Sequence, residues 1–182
     1  MIINKLFFLL GLILIITACS KKIENENLIK EKSLELQVLE AYKEGKDSLE
    51  KGDALFAAKK FNEAEILFPQ SSWAPKSALM AAYSYYIQDY YGDAIAELER
   101  FIRVYPKHKN LDYAYYLLAI SYYEQIVDEK KDLESIMNAK KTFNELIDRF
   151  PNTEYTLDAE FKLDLINDIL AAKEMYVGRY YL

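Results

Sequence analysis

The sequence predicts an all-α protein, a solenoid of antiparallel helix pairs with about three and a half repeats. Residues that interrupt helices are scarce, because the 182 residues include only five glycines and four prolines. Helix-favouring Leu, Ala, Glu and Lys are common, whereas the β-branched residues that favour strands are few. Prolines also stop the helical pattern at a regular interval, and small and bulky residues recur at fixed distances from these stops.

The proline interval divides the chain into repeats. Pro69 is followed by Pro106 after 37 residues and by Pro151 after a further 45. Each proline closes an amphipathic segment, and proline cannot continue a helix. The same spacing relates Phe61 to Leu98 and to Phe143. Self-similarity at this period is typical of stacked helix pairs.

Small residues sit where the two helices of a pair must approach closely. In the first repeat Gly45, Ala57, Phe61, Ala64 and Pro69 match the spacing of small, bulky and proline positions in tetratricopeptide repeats. The second repeat matches with Ala82, Ala94, Leu98, Phe101 and Pro106. We therefore predict tetratricopeptide-like helices over 28–51, 54–68, 73–88, 91–104, 110–127, 132–149 and 154–180.

Turn and cap residues support these bounds. Gly52-Asp53 and Gln88-Asp89 indicate tight turns inside the first two pairs, and Ser72 and Thr153 can cap the helices that follow them. Residues 128–133 lengthen the turn of the third pair. The seventh helix lacks a second helix to complete its pair, so we expect that the chain is truncated or that another protein covers this helix.

The amino terminus reads as a removable signal peptide over residues 1–18. One positive charge at Lys5 precedes an apolar run from Leu6 to Ile16, which is too short to span a membrane. The stretch Ile16-Thr17-Ala18-Cys19 resembles the lipobox of bacterial lipoproteins, which implies cleavage before Cys19 and lipid on that cysteine. An ordinary signal peptide with a chance cysteine is the alternative. Residues 19–27 would be a lipidated tether, and 28–182 the repeat domain with an incomplete fourth repeat.

Composition and motifs argue against catalysis and nucleic-acid binding. The formal charge of −6 repels phosphate backbones. His108 is the only histidine, so it cannot form an ordinary zinc site, and we interpret it as a solvated loop residue. The carboxylates lie beside lysines, as on solvated helix faces. We predict a non-enzyme that has neither cofactor nor metal.

Sixteen tyrosines offer two interpretations. Many lie on the first helices of the second and third repeats, which line the concave face in helical repeats. Most could simply pack between helices, while a subset could line a groove for extended peptides, since tyrosine combines large contact area with a polar tip. The candidate groove residues are Tyr86, Tyr116 and Tyr123. Trp73 is interpreted as a wedge between the first two repeats.

Specific segments resemble the BamD family, the lipoprotein subunit of the β-barrel assembly machinery in Gram-negative outer membranes. The resemblance lies in Ala78–Pro106, Leu111–Pro151 and the ending Glu174–Leu182. It implies a lipid-anchored protein on the periplasmic face of the outer membrane. The implied partners are BamA, other subunits of the machinery and unfolded outer-membrane proteins that carry a terminal signal rich in aromatics. Gly178 and Arg179 would then be candidate docking residues.

Two other functions share parts of this pattern. A pilotin for pilus secretins would have the same fold and anchor without the ending segment. A structural lipoprotein that links the outer membrane to the cell wall is the second alternative. Family members usually continue beyond the point that corresponds to Leu182, which puts BamA docking by this chain in doubt.

Overall fold

The computed structural model describes residues 33–126 and 133–181, which belong to one compact unit, Ser33–Leu182. Within these ranges the chain forms seven α-helices and no strand. They are α1 (Leu34–Glu50), α2 (Ala54–Leu67), α3 (Ala74–Tyr86), α4 (Tyr91–Val104), α5 (Leu111–Glu124), α6 (Leu133–Arg149) and α7 (Glu154–Tyr180). The predicted signal peptide, the tether, Cys19 and most of the lengthened turn at 128–133 lie outside the described residues.

The helices pack in chain order. Each helix contacts the next, and the first helices of successive pairs also touch, α3 with α5 and α5 with α7. This arrangement gives three hairpins, α1–α2, α3–α4 and α5–α6, and α7 packs against the third. The predicted all-α solenoid of antiparallel pairs is confirmed. The predicted helix bounds hold to within three residues with one exception: the first helix begins at Leu34, where the Ser33 side chain caps it, and not at residue 28.

The repeated positions form the core. Phe61, Leu98 and Phe143, which share one repeat position, are each fully buried. The preceding small position, occupied by Ala57, Ala94 and Ala139, is fully buried as well. Small side chains let the helices approach, and the bulky ones fill the space between hairpins at close to crystalline density. Residues at equivalent positions of the sequence repeat therefore occupy equivalent positions in the core.

Both predicted turns occur, but neither predicted residue forms a side-chain cap. Gly52 and Asp89 have positive φ angles of 83° and 60° in the turns of the first two hairpins. Ser72 does not cap α3, since Trp73 holds the N-cap position and Ser71 Oγ accepts from the Trp73 backbone N–H at 3.3 Å. Thr153 does occupy the N-cap of α7. Its hydroxyl makes no hydrogen bond to a backbone N–H of α7; it donates to the Phe150 carbonyl at 3.4 Å and lies 3.1 Å from the Thr156 hydroxyl.

Substitution of two helical glycines by alanine should have opposite effects on stability. A Cβ at buried Gly45 would lie 2.9 Å from the ring of fully buried Phe61, whereas a Cβ at exposed Gly92 would meet nothing within 4 Å. We expect Gly45→Ala to lower the free energy of unfolding by about 1–2 kcal/mol through overpacking. Gly92→Ala should instead raise it by roughly 0.5–1 kcal/mol, the propensity gain of alanine. Urea unfolding followed by circular dichroism measures both, and equal effects would contradict this account.

Candidate protein-binding face

The first helices of the hairpins present a tyrosine-rich face. Eight tyrosines of α3 and α5 are buried or half-buried, and all of them join or pack against the largest hydrophobic cluster. They are Tyr83, Tyr85, Tyr86, Tyr113, Tyr115, Tyr116, Tyr122 and Tyr123. Tyr115 belongs to the core itself, with 5 % of its surface exposed. Packing therefore accounts for most of these rings, and the parts that reach solvent belong mainly to the half-buried members.

A cavity of about 470 Å³ opens on this face across three repeats. Its aromatic wall consists of Tyr42 from α1, Tyr83 from α3 and Tyr113 from α5. The remaining lining residues are Lys76, Leu79, Met80, His108, Lys109 and Asn110. A concave, mostly apolar surface with a few polar groups is the usual form of a ligand site. Residues up to 71 positions apart in the chain thus meet at one opening.

The three tyrosines predicted to line the groove lie on the same face but do not line this cavity. Tyr86 packs its ring 5.8 Å from that of Tyr91, in the turn region of the second hairpin. Tyr123 lies beneath the ammonium of Lys162 of α7, with 4.7 Å from the nitrogen to the ring centroid. All three are half-buried. A role in binding remains a prediction for each.

Tyr116 joins α5 to α7 through a polar contact. Its hydroxyl donates to Asp158 Oδ2 at 2.8 Å, and its ring stacks on Tyr155 with the centroids 5.0 Å apart. Burial and this hydrogen bond raise the pKa of Tyr116 above the ordinary value, and burial does the same for Tyr113. Both hydroxyls therefore stay neutral at physiological pH and serve as hydrogen-bonding groups without charge.

Trp73 behaves as the predicted wedge. Its ring lies 5.0 Å from that of Tyr42 in α1, at the start of the second hairpin. The ammonium of Lys76 stands 4.7 Å above the indole centroid, a cation–π contact. Trp73 thereby connects the first two repeats and fixes one of the cations that line the cavity.

His108 differs from the solvated residue that we expected. Its imidazole packs edge-on against Phe101 with the ring centroids 5.5 Å apart, and it is only partly exposed. Nδ1 accepts from the backbone N–H of Asn110 at 3.3 Å. Desolvation, followed by the charges of Lys109 and Lys76, lowers the pKa of His108. His108 lies in a loop, as predicted, but its ring is partly buried because the loop folds back onto the core.

The second helices carry a buried ion pair that sequence reasoning missed. Glu65 of α2 has 7 % of its surface exposed, and its two carboxylate oxygens accept from Arg100 of α4 at 2.8 and 2.6 Å. The Tyr105 hydroxyl donates to the same carboxylate at 2.6 Å. Arg100 also donates to Glu97 at 2.9 Å. A carboxylate one residue after Ala64, a core position, was the available signal that a partner is required.

The last helix is open along its final turns. Gly178 and Arg179 are exposed, and a Cβ at Gly178 would meet nothing within 4 Å. Met175, Tyr176 and Val177 expose 59 %, 56 % and 43 % of their surfaces. The arrangement leaves room for a docking partner, and the docking roles of Gly178 and Arg179 remain predictions. Among the described helices, none has both the length and the apolar character needed to traverse a bilayer.

Comparison with known protein families decides the identity of the domain. Residues 35–182 match the family described as YfiO, outer membrane lipoprotein. The chain belongs to this family. The resemblance to BamD is thereby confirmed, since similar relatives carry the name outer membrane protein assembly factor BamD. The name of these relatives is that of an assembly factor and not of a pilotin or a cell-wall-linking lipoprotein.

Three of these BamD relatives set the scale of the similarity. The protein of Caulobacter vibrioides is 39 % identical over 92 % of this chain and 54 % of its own length. The protein of Rickettsia prowazekii is 35 % identical, over 93 % of this chain and 65 % of its own length. The protein of Neisseria gonorrhoeae is 35 % identical, over 78 % of this chain and 57 % of its own length. The chain therefore spans between about half and two thirds of the length of these relatives of the YfiO family.

Solved structures agree on the fold of this YfiO-family chain. The Hsp90 co-chaperone Cns1 of Saccharomyces cerevisiae has a TM-score of 0.66 at 16 % identity, covering 84 % of this chain and 46 % of Cns1. The first TPR of Spaghetti (RPAP3), bound to the HSP90 peptide SRMEEVD, has a TM-score of 0.56 at 16 % identity. The match covers 75 % of this chain and 94 % of that structure's chain. At these identities the likeness concerns the fold, and it confirms the tetratricopeptide-like architecture.

Proposed function

We propose that this chain is a non-enzymatic lipoprotein of the β-barrel assembly machinery, which binds unfolded outer-membrane proteins and brings them to the insertion site. The observation that carries the proposal is the cavity on the first-helix face. It is lined by Tyr42, Tyr83 and Tyr113, on a domain that belongs to the YfiO family. Tyrosine rings give a binding surface large contact area at low entropy cost.

The same family membership supports the proposed location and partners. Lipid on Cys19 would hold the domain at the periplasmic face of the outer membrane, with residues 20–27 as the tether. BamA and other subunits of the machinery are the proposed partners. The exposed turn around Gly178 and Arg179 at the end of α7 is the proposed docking region. No nucleic acid, cofactor or metal is part of this function.

Site-specific photocrosslinking tests substrate binding. A photoreactive amino acid is placed at Tyr83, Tyr113 or Tyr116 on the first-helix face, with exposed Lys59 of α2 as the control position. We expect newly exported, unfolded barrel proteins to crosslink from the three tyrosine positions at least several-fold more than from Lys59. Capture of folded, mature envelope proteins alone, or equal capture from Lys59, would contradict the proposed function.

A further inference from the structure

One end of the first hairpin exposes four large apolar side chains. α1 begins at this end and α2 finishes there, because the two helices pack antiparallel. The exposed fractions of Leu34, Leu36 and Leu39 of α1 are 51 %, 43 % and 44 %, and that of Ile66 of α2 is 74 %. We call these four residues the apolar edge. The terminal helices of a solenoid usually present a polar face to water, so an apolar surface at this place indicates a contact site.

A groove of about 630 Å³ opens beside the apolar edge, between α1 and the loop that leads to α3. Leu36 and Leu39 line it from α1, and Phe68 and Trp73 line it from the loop. The other lining residues are Ser33, Glu35, Ser71 and Ser72. Phe68 and Trp73 also pack against a buried cluster of the first hairpin. The apolar wall of the groove is therefore held in place by the core.

The apolar edge lies in a region that is almost without charge. Residues 33–39 and 66–73 together contain one charged residue in fifteen, Glu35, whereas residues 46–60 at the opposite end of the hairpin contain seven in fifteen. That opposite end also exposes Phe56, but the Lys60 ammonium lies over its ring at 5.7 Å from the centroid. Moving charged groups from water into an apolar environment is costly. The charge-poor end is therefore the one that suits a hydrocarbon surface.

The sequence places the apolar edge close to the proposed lipid anchor. Fourteen residues, 20–33, separate Cys19 from Leu34. A segment of this length spans at most about 50 Å in any conformation. With lipid on Cys19, contact between the edge and the membrane is intramolecular, at an effective concentration on the order of millimolar. An apolar surface too small to hold a protein on a bilayer by itself can contact it under these conditions.

We propose that the apolar edge rests on the lipid leaflet in which Cys19 is anchored, with the three leucines and Ile66 at the boundary between headgroups and acyl chains. The inference rests on the lipid at Cys19, which is part of the proposed function, and it does not depend on substrate binding. The contact gives the first hairpin a defined orientation, in which the end formed by residues 46–60 points away from the membrane. The lipid supplies the location, and the apolar edge limits rotation of the domain at that location.

Trp73 provides a built-in probe of this contact, because it lines the groove and is the only tryptophan in the chain. The full lipidated chain is reconstituted into vesicles of phosphatidylethanolamine and phosphatidylcholine, whose acyl chains are either unlabelled or brominated. Bromine quenches tryptophan fluorescence only at close range. We expect the brominated vesicles to quench Trp73. Unquenched Trp73 in protein that floats with the vesicles would overturn the proposal.

A second reporter position tests the orientation. Phe56→Trp in a chain that also carries Trp73→Phe moves the only indole to the opposite end of the hairpin, at a site that is 42 % exposed. Its fluorescence should be quenched several-fold less than that of Trp73, because a helix of the length of α1 spans about 25 Å. Equal quenching of the two reporters would mean that the domain has no preferred orientation, which contradicts the proposal.

Matched double variants test the leucines. Leu36→Ser with Leu39→Ser should lower the ratio of membrane-contacting to free domain about tenfold or more, because two apolar side chains are lost. Leu55→Ser with Leu157→Ser makes the same chemical change at positions that are 50 % and 75 % exposed. This control should change the ratio less than about twofold. All four positions are exposed, and circular dichroism checks that both variants keep their helices. Equal losses in the two double variants would overturn the proposal.

Flotation of the vesicles separates failure of this inference from failure of the proposed anchor. If the unaltered chain does not float with the vesicles, the lipid on Cys19 and the contact that rests on it are both wrong. If the chain floats but Trp73 is not quenched, the anchor stands and the contact alone is wrong. Photocrosslinking of unfolded barrel proteins from Tyr83 should be unchanged by Leu36→Ser with Leu39→Ser. Its loss would assign the apolar edge to substrate binding and would contradict the membrane contact.

Discussion

Arg100→Ala is expected to lower the free energy of unfolding by about 3 kcal/mol, the scale of breaking a largely buried ion pair by removing one partner. The cost arises mainly at the residue that remains. The Glu65 side chain is 10 % exposed, and both of its carboxylate oxygens accept from Arg100. Without Arg100, only the Tyr105 hydroxyl would still donate to this carboxylate among the contacts described above.

Changing Glu65 should lower the free energy of unfolding less than changing Arg100. The two variants together therefore test the ion pair more sharply than either variant alone. Arg100 is 33 % exposed and also pairs with Glu97 at 2.8 Å, so its guanidinium keeps a partner and access to water when Glu65 is changed. Glu65→Gln retains the shape and some hydrogen bonding, and we expect a loss of roughly 1–2 kcal/mol. The double variant should lose less than the sum of the two single losses.

Urea unfolding of the four proteins gives this double-mutant cycle. Arg103→Ala is the matched control, because Arg103 lies on the same helix but is exposed, and such surface changes usually stay within about 0.5 kcal/mol. A loss at Arg100 no greater than at Arg103, or additive effects of Glu65 and Arg100, would contradict a structural role for the pair. The expected outcome would show that the Glu65–Arg100 ion pair stabilises the contact between the first two hairpins.

The hydrophobic repeat was predictable from the sequence because every hairpin uses the same packing. Phe61, Leu98 and Phe143 recur at a fixed distance before a proline, and all three are fully buried. Such a core depends on local periodicity and on contacts between neighbouring repeats, both of which leave a mark in the spacing. The fold class and the helix bounds needed no information on long-range partners.

The cavity was not predictable in the same way. Tyr42, Tyr83 and Tyr113 come from three helices, and which tyrosines surround one opening depends on how the hairpins are rotated against each other. The sequence pattern favoured Tyr86, Tyr116 and Tyr123, which lie on the same face at other heights. Periodicity identifies the face of a helix but does not fix where neighbouring helices leave a gap.

The sequence analysis did not predict the long-range polar pairs, for a related reason. Glu65 and Arg100 are 35 residues apart, and Arg149 meets Tyr115 across 34, where its guanidinium donates to the hydroxyl and lies 5.2 Å from the ring centroid. Each charge taken alone resembles a solvated helix residue. Glu65 of α2 and Arg100 of α4 are separated by about one repeat and connect the first two hairpins, whereas Tyr115 of α5 and Arg149 of α6 connect the two helices of the third hairpin. A search for opposite charges one repeat apart would have found Glu65 and Arg100.

Cys19→Ala is expected to release the protein from the membrane fraction almost completely. Several acyl chains on the amino-terminal cysteine would anchor a protein firmly, whereas a single chain is marginal. Fractionation of cells on a sucrose gradient, followed by immunoblotting, measures the distribution.

Ser20 provides the matched comparison, because it adjoins the proposed lipidation site at Cys19 without carrying the lipid. Ser20→Ala should leave the protein in the outer-membrane fraction. Ser20→Asp resembles the retention signal of inner-membrane lipoproteins and should shift the protein to the inner membrane while keeping the lipid. Retention of Cys19→Ala protein in the outer membrane would mean that protein contacts, such as docking through Gly178 and Arg179, hold the chain there without an anchor. Release of the Cys19→Ala protein from the membrane, together with a shift of the Ser20→Asp protein to the inner membrane, would assign the location to the lipid.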